Sequence, residues 1–231
     1  MVAGRGAAVA LCLSLAGCSG PLSSLDPAGP AAGSIATLWW VMFAGSLLLF
    51  GLVMVLLVLA FVVPEGGRRT SPKLWLVGGG LMLPAVVLTP LMVYALWGGE
   101  RLFAATSADE IQVAVTGRQW EWQFVHRTGD GRLVRSLNML HVPAGTPVRL
   151  HVTSDDVIHS FWVPRLAGKI DAIPGHTNTL RIRADKAGTY QGVCAEFCGR
   201  DHAVMQMVVM AHESPALFDR AIDTLPAHTA Q

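Results

Sequence analysis

Four side chains with soft or borderline donor atoms lie close together in the second half of the chain. The stretch from Cys194 to Met205, CAEFCGRDHAVM, has the pattern C-x-x-x-C-x-x-x-H-x-x-M, in which the histidine is His202. Thiolate, imidazole and thioether ligands select copper over hard cations. One blue-copper ion needs a single thiolate, so the second cysteine, Cys198, indicates two sulfurs that bridge a pair of copper ions. Each copper then requires one imidazole, and a second histidine must come from elsewhere.

The candidate for that second imidazole is His159, in the run DDVIHSFWVP. The two aspartates favour a turn, and residues 158–163 are typical of the start of a strand. A disulfide between Cys194 and Cys198 is the alternative, because cysteine pairs in oxidising compartments often form one. The histidine and methionine at these spacings, together with His159, favour the metal site.

Three runs of sequence resemble those of one family. They are GRQWEWQF from Gly117, DDVIHSFWVPRLAGKIDAIPG from Asp155, and GTYQGVCAEFCGRDHAVM from Gly188. In order and spacing they resemble subunit II of the haem–copper cytochrome c oxidases, and the resemblance extends from the first apolar run to about Asp223. It implies a dinuclear copper centre, CuA, whose side-chain ligands are His159, Cys194, Cys198, His202 and Met205.

The resemblance also assigns a role to Glu196, between the two cysteines. In the family the backbone carbonyl at this position is a weak copper ligand, and the carboxylate binds a magnesium ion shared with subunit I. A solvated loop acid is the alternative interpretation of Glu196.

Trp120 matches the family tryptophan that lies above the copper centre and first receives the electron from cytochrome c. Trp120 and Trp122 could also be core aromatics, which is the preferred interpretation for Trp122. The chain departs from the family at Arg118, often His, and at Glu121, often Tyr. Four acids near the ligand runs are either turn and cap residues or a patch that attracts a basic partner; they are Asp155, Asp156, Asp171 and Asp201.

Composition indicates a membrane protein, because 52% of the 231 residues are hydrophobic and only 14% are charged. Uncharged runs predict transmembrane helices over residues 35–63 and 74–97, although two buried core helices are the alternative. The connecting loop, residues 64–73, carries Arg68, Arg69 and Lys73 and is therefore predicted to be cytoplasmic. The net charge of +1 gives no basic field and argues against nucleic-acid binding.

Helix breakers in the second run predict a bend and a partner subunit that packs there; they are Pro84, Pro90 and Gly78–Gly80. Many family members have a glutamate at the start of this helix, at the mouth of a proton pathway. This chain has no acid between Arg69 and Trp97. The route by which protons reach the partner subunit is therefore not indicated by the resemblance.

The first residues resemble a lipoprotein signal. Arg5, a short apolar run and Leu15-Ala16-Gly17 before Cys18 predict a signal peptide over residues 1–17 and a lipid on Cys18. An ordinary signal with an incidental cysteine is the alternative. Residues 18–34 are predicted to form a flexible periplasmic tether. Both termini then face the periplasm, in agreement with the positive-inside rule.

After a linker over residues 98–110, short alternating runs separated by turn signals predict a β-sandwich or barrel over residues 111–225. Copper ligands on a late loop favour a cupredoxin-type Greek-key barrel, which the resemblance also implies. The overall fold class is thus a two-helix transmembrane hairpin followed by an all-β barrel. An amphipathic helix is predicted at Pro215–Asp223, followed by a tail over residues 226–231. The remaining histidines are predicted to lie on the surface or in that tail; they are His126, His141, His151, His176, His212 and His228.

The functional prediction is subunit II of a bacterial cytochrome c oxidase in the inner membrane, multi-pass, with its carboxyl-terminal domain in the periplasm. It accepts electrons from cytochrome c at CuA and passes them to haem in subunit I, where oxygen is reduced and protons are pumped. The printed sequence has no C-x-x-C-H haem attachment motif. A quinol oxidase subunit, which lacks the copper ligands, and a membrane-anchored periplasmic copper carrier are the alternatives.

Overall fold

The computed structural model describes residues 18–63, 71–103 and 110–228, with no side-chain description for residues 98–103. The predicted signal peptide lies outside the described residues, as do residues 64–70 of the predicted cytoplasmic loop. The chain divides into two compact units. One contains residues 37–104, and the other, called the head below, contains residues 105–231 together with the first 36 residues.

Two helices dominate the unit of residues 37–104. Helix α1 spans Pro30–Val62, and a π-helical segment, Leu74–Met82, continues into helix α2, Leu83–Phe103. Both are long and apolar enough to cross a membrane. Their large side chains face outwards, as shown by Leu48, which is 71% exposed, and Phe61, which is 83% exposed. A core helix of a soluble protein would bury such residues, so the observed exposure fits lipid-facing spans.

The helix boundaries differ from the prediction at both ends. Helix α1 begins at Pro30 instead of residue 35, because proline is well suited to the first helical position, where its missing N–H costs nothing. The second helix continues beyond residue 97 to Phe103. Its π-helical part ends where the Leu83 N–H donates to the Gly78 carbonyl, immediately before Pro84, which has no N–H to donate.

The head contains ten β-strands within the described residues. Their bounds are β1 Ile111–Arg118, β2 Glu121–Arg127, β3 Leu133–Leu137, β4 Met139–Pro143, β5 Val148–Ser154, β6 His159–Trp162, β7 Ile170–Ala172, β8 Asn178–Ile182, β9 Gly188–Cys194 and β10 Gln206–His212. Helix α3, Pro215–Asp223, matches the predicted amphipathic helix and is capped by the Ser214 side chain, which accepts from the Leu217 N–H.

The strands form two five-stranded sheets. One has the order β3-β2-β1-β5-β8 and the other β4-β10-β9-β6-β7. The β1–β5 and β4–β10 pairs are parallel, and the other strand pairs are antiparallel. Alternate residues of most strands point inwards and form the main core, which includes Val113, Trp122, Phe124, Leu150 and Phe161. A smaller cluster joins Val134 of β3 to helix α3. The predicted all-β cupredoxin-type fold is confirmed, with its strands in two packed sheets, and so is the core position of Trp122.

The segment before helix α1 is not a free tether, contrary to the prediction. The Ala28 N–H donates to the Arg165 carbonyl at 2.7 Å, and the Ala28 carbonyl accepts from the Asp185 N–H at 2.9 Å. Asp26 also pairs with the Arg165 guanidinium at 3.0 Å. Gly29 is buried, and a Cβ there would overlap the Arg183 carbonyl. The small residues that suggested flexibility instead permit close packing on the head.

The start of the predicted tail is ordered as well. The His228 N–H donates to the Leu133 carbonyl at 2.8 Å, and the Pro226 carbonyl accepts from the Arg135 N–H at 2.9 Å. Residues 226–228 therefore extend along β3, an edge strand whose free backbone groups can accept such an addition.

Three histidines predicted on the surface are partly or fully enclosed. His126 is fully buried, His141 is buried and His212 is half-buried. Burial, and then the charge of His141, lowers the pKa of His126 to about 3. Burial also lowers the pKa of His141 and that of His212. The prediction was wrong because His126 lies two and four residues from Phe124 and Trp122, on the inward face of β2. His151 and His176 do lie towards solvent.

Candidate metal centre

Two neighbouring strands and the loop that follows them position the predicted ligands. His159 is the first residue of β6 and Cys194 the last residue of β9. These strands pair with Phe161 opposite Cys194, so the histidine and the cysteine meet at one end of the second sheet. Cys198 lies on the loop after β9, His202 opens a short 3₁₀ helix, and Met205 directly precedes β10.

The donor atoms of these five residues form a continuous chain of contacts. Cys194 Sγ lies 3.8 Å from His159 Nδ1 and 3.7 Å from Cys198 Sγ. Cys198 Sγ in turn lies 3.6 Å from His202 Nδ1 and 3.7 Å from Met205 Sδ. His159, Cys194 and Cys198 are buried and form a group able to hold a metal ion. The loop therefore brings all five predicted side-chain ligands together.

The two cysteines are not joined by a disulfide. A disulfide requires an S–S distance of about 2.05 Å, whereas the two Sγ atoms are 3.7 Å apart and both thiols are free. Burial, followed by the neighbouring Cys194, raises the pKa of Cys198 to about 12. The protonated thiol is therefore the stable form until a cation replaces its proton, as is general for thiolate metal sites.

His159 is held in one orientation by Asp156. Its Nε2 lies 2.8 Å from Asp156 Oδ1, and because a carboxylate only accepts, Nε2 carries the proton and Nδ1 keeps its lone pair for a metal. Burial alone would raise the pKa of Asp156, but hydrogen bonds from the Gln119 N–H, from His159 and from the Val157 N–H outweigh it and hold the pKa below its usual value. Gly117 makes room for the ring, since a Cβ there would lie 2.9 Å from His159 Cδ2.

Trp120 lies in the turn before β2, half-buried, and contacts the backbone of a predicted ligand. Its Nε1–H donates to the Cys198 carbonyl at 3.3 Å, and the Gln119 side-chain amide donates to the same oxygen at 2.8 Å. The Arg200 guanidinium lies over the indole, 5.5 Å from the ring centroid. The indole therefore connects the surface of the head with the cysteine loop.

Glu196 presents two oxygens in different directions. Its backbone carbonyl accepts from the Cys194 thiol at 3.3 Å, while its carboxylate is exposed and lies 3.9 Å from Lys169 Nζ. The carbonyl is thus within the group of donor atoms, and the carboxylate is available to a ligand outside it.

The four acids considered as a steering patch all have partners. Asp155 pairs with Arg118 at 2.6 Å, Asp171 with Lys169 at 3.3 Å, and Asp201 with Arg200 at 3.1 Å. Asp156 is engaged by His159. Three of the four acids are therefore paired with a lysine or an arginine, which favours the interpretation of these acids as local structural residues over a free acidic patch.

The donor set fits a pair of copper ions. Two thiols lie between two imidazoles, with a thioether on one side and a carbonyl on the other, and soft sulfur and imidazole donors suit copper. Both cysteines, His159 and Met205 are buried, which limits the access of water to the sulfurs. Asp156, Gln119 and Arg200 were not predicted as part of the site, although an acid three residues before a ligand histidine is a signal that could have identified Asp156.

The fold and the site together define a cupredoxin-type domain with a candidate metal centre, in a chain with two candidate membrane spans. Residues 125–212 match the family model described as cytochrome c oxidase subunit II, periplasmic domain. The chain belongs to the cytochrome c oxidase subunit II family.

Individual relatives and one solved structure are similar to parts of this chain. Cytochrome c oxidase subunit 2 of Alkalihalophilus pseudofirmus is 33% identical over 222 residues, which cover 88% of this chain and 63% of that protein. The subunit 2 of Thermostichus vulcanus is 45% identical over 105 residues, covering 46% of this chain and 31% of the relative. The chain thus spans less than two thirds of the length of these relatives. The crystal structure of the periplasmic domain of cytochrome oxidase subunit II from Bradyrhizobium japonicum is 31% identical, covers 53% of this chain and 96% of that one, and superposes with a TM-score of 0.48.

Proposed function

We propose that this chain is subunit II of a bacterial cytochrome c oxidase and that it receives electrons from reduced cytochrome c at a dinuclear copper centre. The observation that carries the proposal is the contact chain His159–Cys194–Cys198–His202, with Met205 at its side. The site has two thiols between two imidazoles, whereas a mononuclear blue-copper site uses a single thiolate. The second thiol supports a site for two copper ions.

The two coppers would be held by both cysteines, with one histidine each, and by Met205 and the Glu196 carbonyl as weaker ligands. Such a centre would accept one electron at a time and share it between the two metals. The protein keeps the ligands in place by the Asp156–His159 hydrogen bond and excludes water by burying both cysteines. Fixed ligands change little between redox states, which favours fast transfer.

The position of Trp120 supports a path for the electron. The indole is accessible at the surface and donates to the Cys198 carbonyl, which supports a role as the first acceptor from a docked haem edge. The exposed Glu196 carboxylate would bind a magnesium ion shared with subunit I, on the way to the haem where oxygen is reduced and protons are pumped.

We also propose that the chain lies in the bacterial inner membrane with the head in the periplasm. The two exposed apolar helices support two spans. Cys18 is exposed and its thiol is free, so it is accessible for the proposed lipid, for which intact mass of the mature chain is the direct test.

Copper content and electron paramagnetic resonance of the purified full chain test the site. We expect two coppers per chain and, on oxidation, one unpaired electron shared by both. Cys198→Ser should abolish the shared signal, whereas Cys18→Ser, the matched control, should retain it. A single copper with a mononuclear blue-copper signal would overturn the proposal. A copper carrier would also bind two coppers. That alternative is supported if reduced cytochrome c does not transfer electrons to the coppers in the assembled oxidase.

A further inference from the structure

A cavity of about 220 Å³ lies in the head between the start of helix α1 and the connection from β6 to β7. Its lining is mostly apolar: helix α1 supplies Ala32 and Ile35, and the connection supplies Pro164, Ala167 and Gly168. An apolar cavity of about 150 Å³ in another protein stays dry and binds benzene. The cavity in the head is therefore large enough for a stretch of hydrocarbon.

The segment that contains Cys18 is held beside this cavity. The Ser23 hydroxyl donates to the Cys18 carbonyl at 2.9 Å, and the Ser23 N–H donates to the Gly20 carbonyl at 3.0 Å. Ser24, the next residue, lines the cavity. This hydrogen bond and standard bond lengths place the Cα atoms of Cys18 and Ser24 at most about 12 Å apart. Cys18 is exposed and its thiol is free, so a lipid attached there begins within reach of the cavity.

The charged residues beside the cavity indicate which kind of lipid it fits. Lys169 lines the cavity and is already paired with Asp171 at 3.3 Å and with Glu196 at 3.9 Å. Arg165, in the same connection, is paired with Asp26 at 3.0 Å. A phospholipid brings a phosphate, which binds best to an available lysine or arginine, whereas a diacylglycerol on a cysteine carries no phosphate. The pairing of both cations therefore favours a lipid without a charged headgroup.

We propose that one acyl chain of a diacylglycerol on Cys18 occupies this cavity and fixes the lipid anchor to the head. The inference rests on the lipid proposed above for Cys18. Burial of each CH₂ group of the chain is favourable. Helix α1, which lines the cavity, is also the first candidate membrane span, so the lipid and the span would enter the bilayer at one place. The ordered segment before helix α1 then holds the lipid in position.

Photo-crosslinking of the assembled oxidase tests the proposal. Cells are grown with a fatty acid that carries a diazirine near the end of its chain, and the oxidase is purified in detergent and illuminated. We expect mass spectrometry to find a lipid bridge between the peptide of Cys18 and a peptide that contains Trp162 or Ala167, both of which line the cavity. Cys18→Ser should lose this bridge completely.

Gly168→Leu should reduce the bridge at least about fivefold, because the added side chain takes up space in the cavity. A Cβ at Gly168 meets only Ile35 Cδ1, at 3.4 Å, so the first added carbon fits. Gly33→Leu is the matched control, since a Cβ at Gly33 meets nothing within 4 Å and Gly33 does not line the cavity. The copper signal shows whether each head is folded, and Ile35→Trp fills the cavity from the helix side if Gly168→Leu loses that signal.

Failure of this inference is distinguishable from failure of the lipid on Cys18. An intact mass without a diacylglycerol on the mature chain would overturn both. A chain that carries the lipid but forms no bridge would overturn this inference alone, as would equal bridging in the parent, Gly168→Leu and Ile35→Trp. Lipid adducts at Trp162 or Ala167 that persist in Cys18→Ser would assign the cavity to a membrane phospholipid and would also overturn it.

Discussion

At the scale of single residues, the proposed copper ligands depend on side chains that are not themselves proposed ligands. Asp156 fixes the tautomer of His159, and the Gln119 amide and the Trp120 indole both donate to the Cys198 carbonyl. Partners of this kind orient ligands and make them more basic, and their loss commonly reduces metal affinity. The Asp156 carboxylate also accepts the Gln119 N–H at 2.7 Å. One acid therefore joins the histidine side of the site to the turn that carries the indole.

Asp156→Ala should lower the affinity of the site for copper about 10- to 100-fold, because the His159 ring loses the hydrogen bond that fixes its orientation. Asp156→Asn, which keeps an acceptor oxygen but loses the charge, should have a smaller effect. Copper retention against a chelator of known affinity measures both. Asp155→Ala is the control, since Asp155 pairs with Arg118. Equal retention by Asp156→Ala and the control would refute the positioning role.

Trp120 gives a separate prediction about electron transfer. Trp120→Ala should slow reduction of the copper within the docked cytochrome complex by at least about tenfold, equivalent to about 1.4 kcal/mol of barrier, and leave the copper content unchanged. Trp120→Phe tests the hydrogen bond separately from the aromatic ring, because phenylalanine keeps a ring but cannot donate to the Cys198 carbonyl. Stopped-flow reduction at saturating cytochrome c reports the rate. A parent rate in Trp120→Ala would exclude the indole as the first acceptor.

Four of the five proposed side-chain ligands could be predicted from their spacing, because Cys194, Cys198, His202 and Met205 lie within twelve residues. Asp156 could have been found in the same way, because it lies three residues before His159. The contacts of Gln119 with Cys198 and of Arg200 with Trp120 could not, since the turn before β2 meets the cysteine loop only in the folded head. The errors at His126 and His141 have another cause. His126 could have been predicted as buried, because the alternation of aromatic and polar residues along β2 places it on the inward face. His141 could not, because it lies on β4, a strand that was not predicted.

At the scale of elements, the segment before helix α1 is part of the head. Ala28 bonds to Arg165 and Asp185, and the Ala32 N–H donates to the Leu166 carbonyl at 3.3 Å. Composition alone favoured a flexible tether, because small residues permit both disorder and close packing. The contact partners lie more than 130 positions away in the sequence, so no local pattern could distinguish the two. The strands of the head, by contrast, follow local alternation and were largely predictable.

Gly29→Ala should release this segment from the head, because the added methyl group would overlap the Arg183 carbonyl and lie 2.9 Å from the Leu166 carbonyl. Gly33→Ala is a matched control in the same region, since a Cβ there meets nothing within 4 Å. Hydrogen exchange of the full chain should be faster at the Ala28 and Asp185 amides in the Gly29 variant only. Unchanged protection in Gly29→Ala would show that the packing adapts and that the contact is not tight.

At the scale of the whole molecule, charge is balanced both globally and around the copper end of the head. The chain has a net charge of +1, and Asp155, Asp171 and Asp201 each pair with a basic residue. Exposed charges steer a partner over about one Debye length, about 8 Å at physiological ionic strength. Because paired charges nearly cancel at that distance, steering of a basic cytochrome by this surface should be weak in the parent protein.

Breaking one ion pair from either side should therefore reveal steering of opposite sign. Arg118→Gln leaves Asp155 unpaired and should speed association with a basic cytochrome c about two- to fivefold at low ionic strength. Asp155→Asn leaves Arg118 unpaired and should slow association by a similar factor. Both effects should vanish as added salt shortens the screening length, and neither variant should alter the transfer rate once the cytochrome has docked. Stopped-flow reduction of the assembled oxidase across a salt series measures both rates. Changes of the same sign in the two variants, or changes that persist at high salt, would show that the Arg118–Asp155 pair acts through the structure of the turn before β2 and not through its charge.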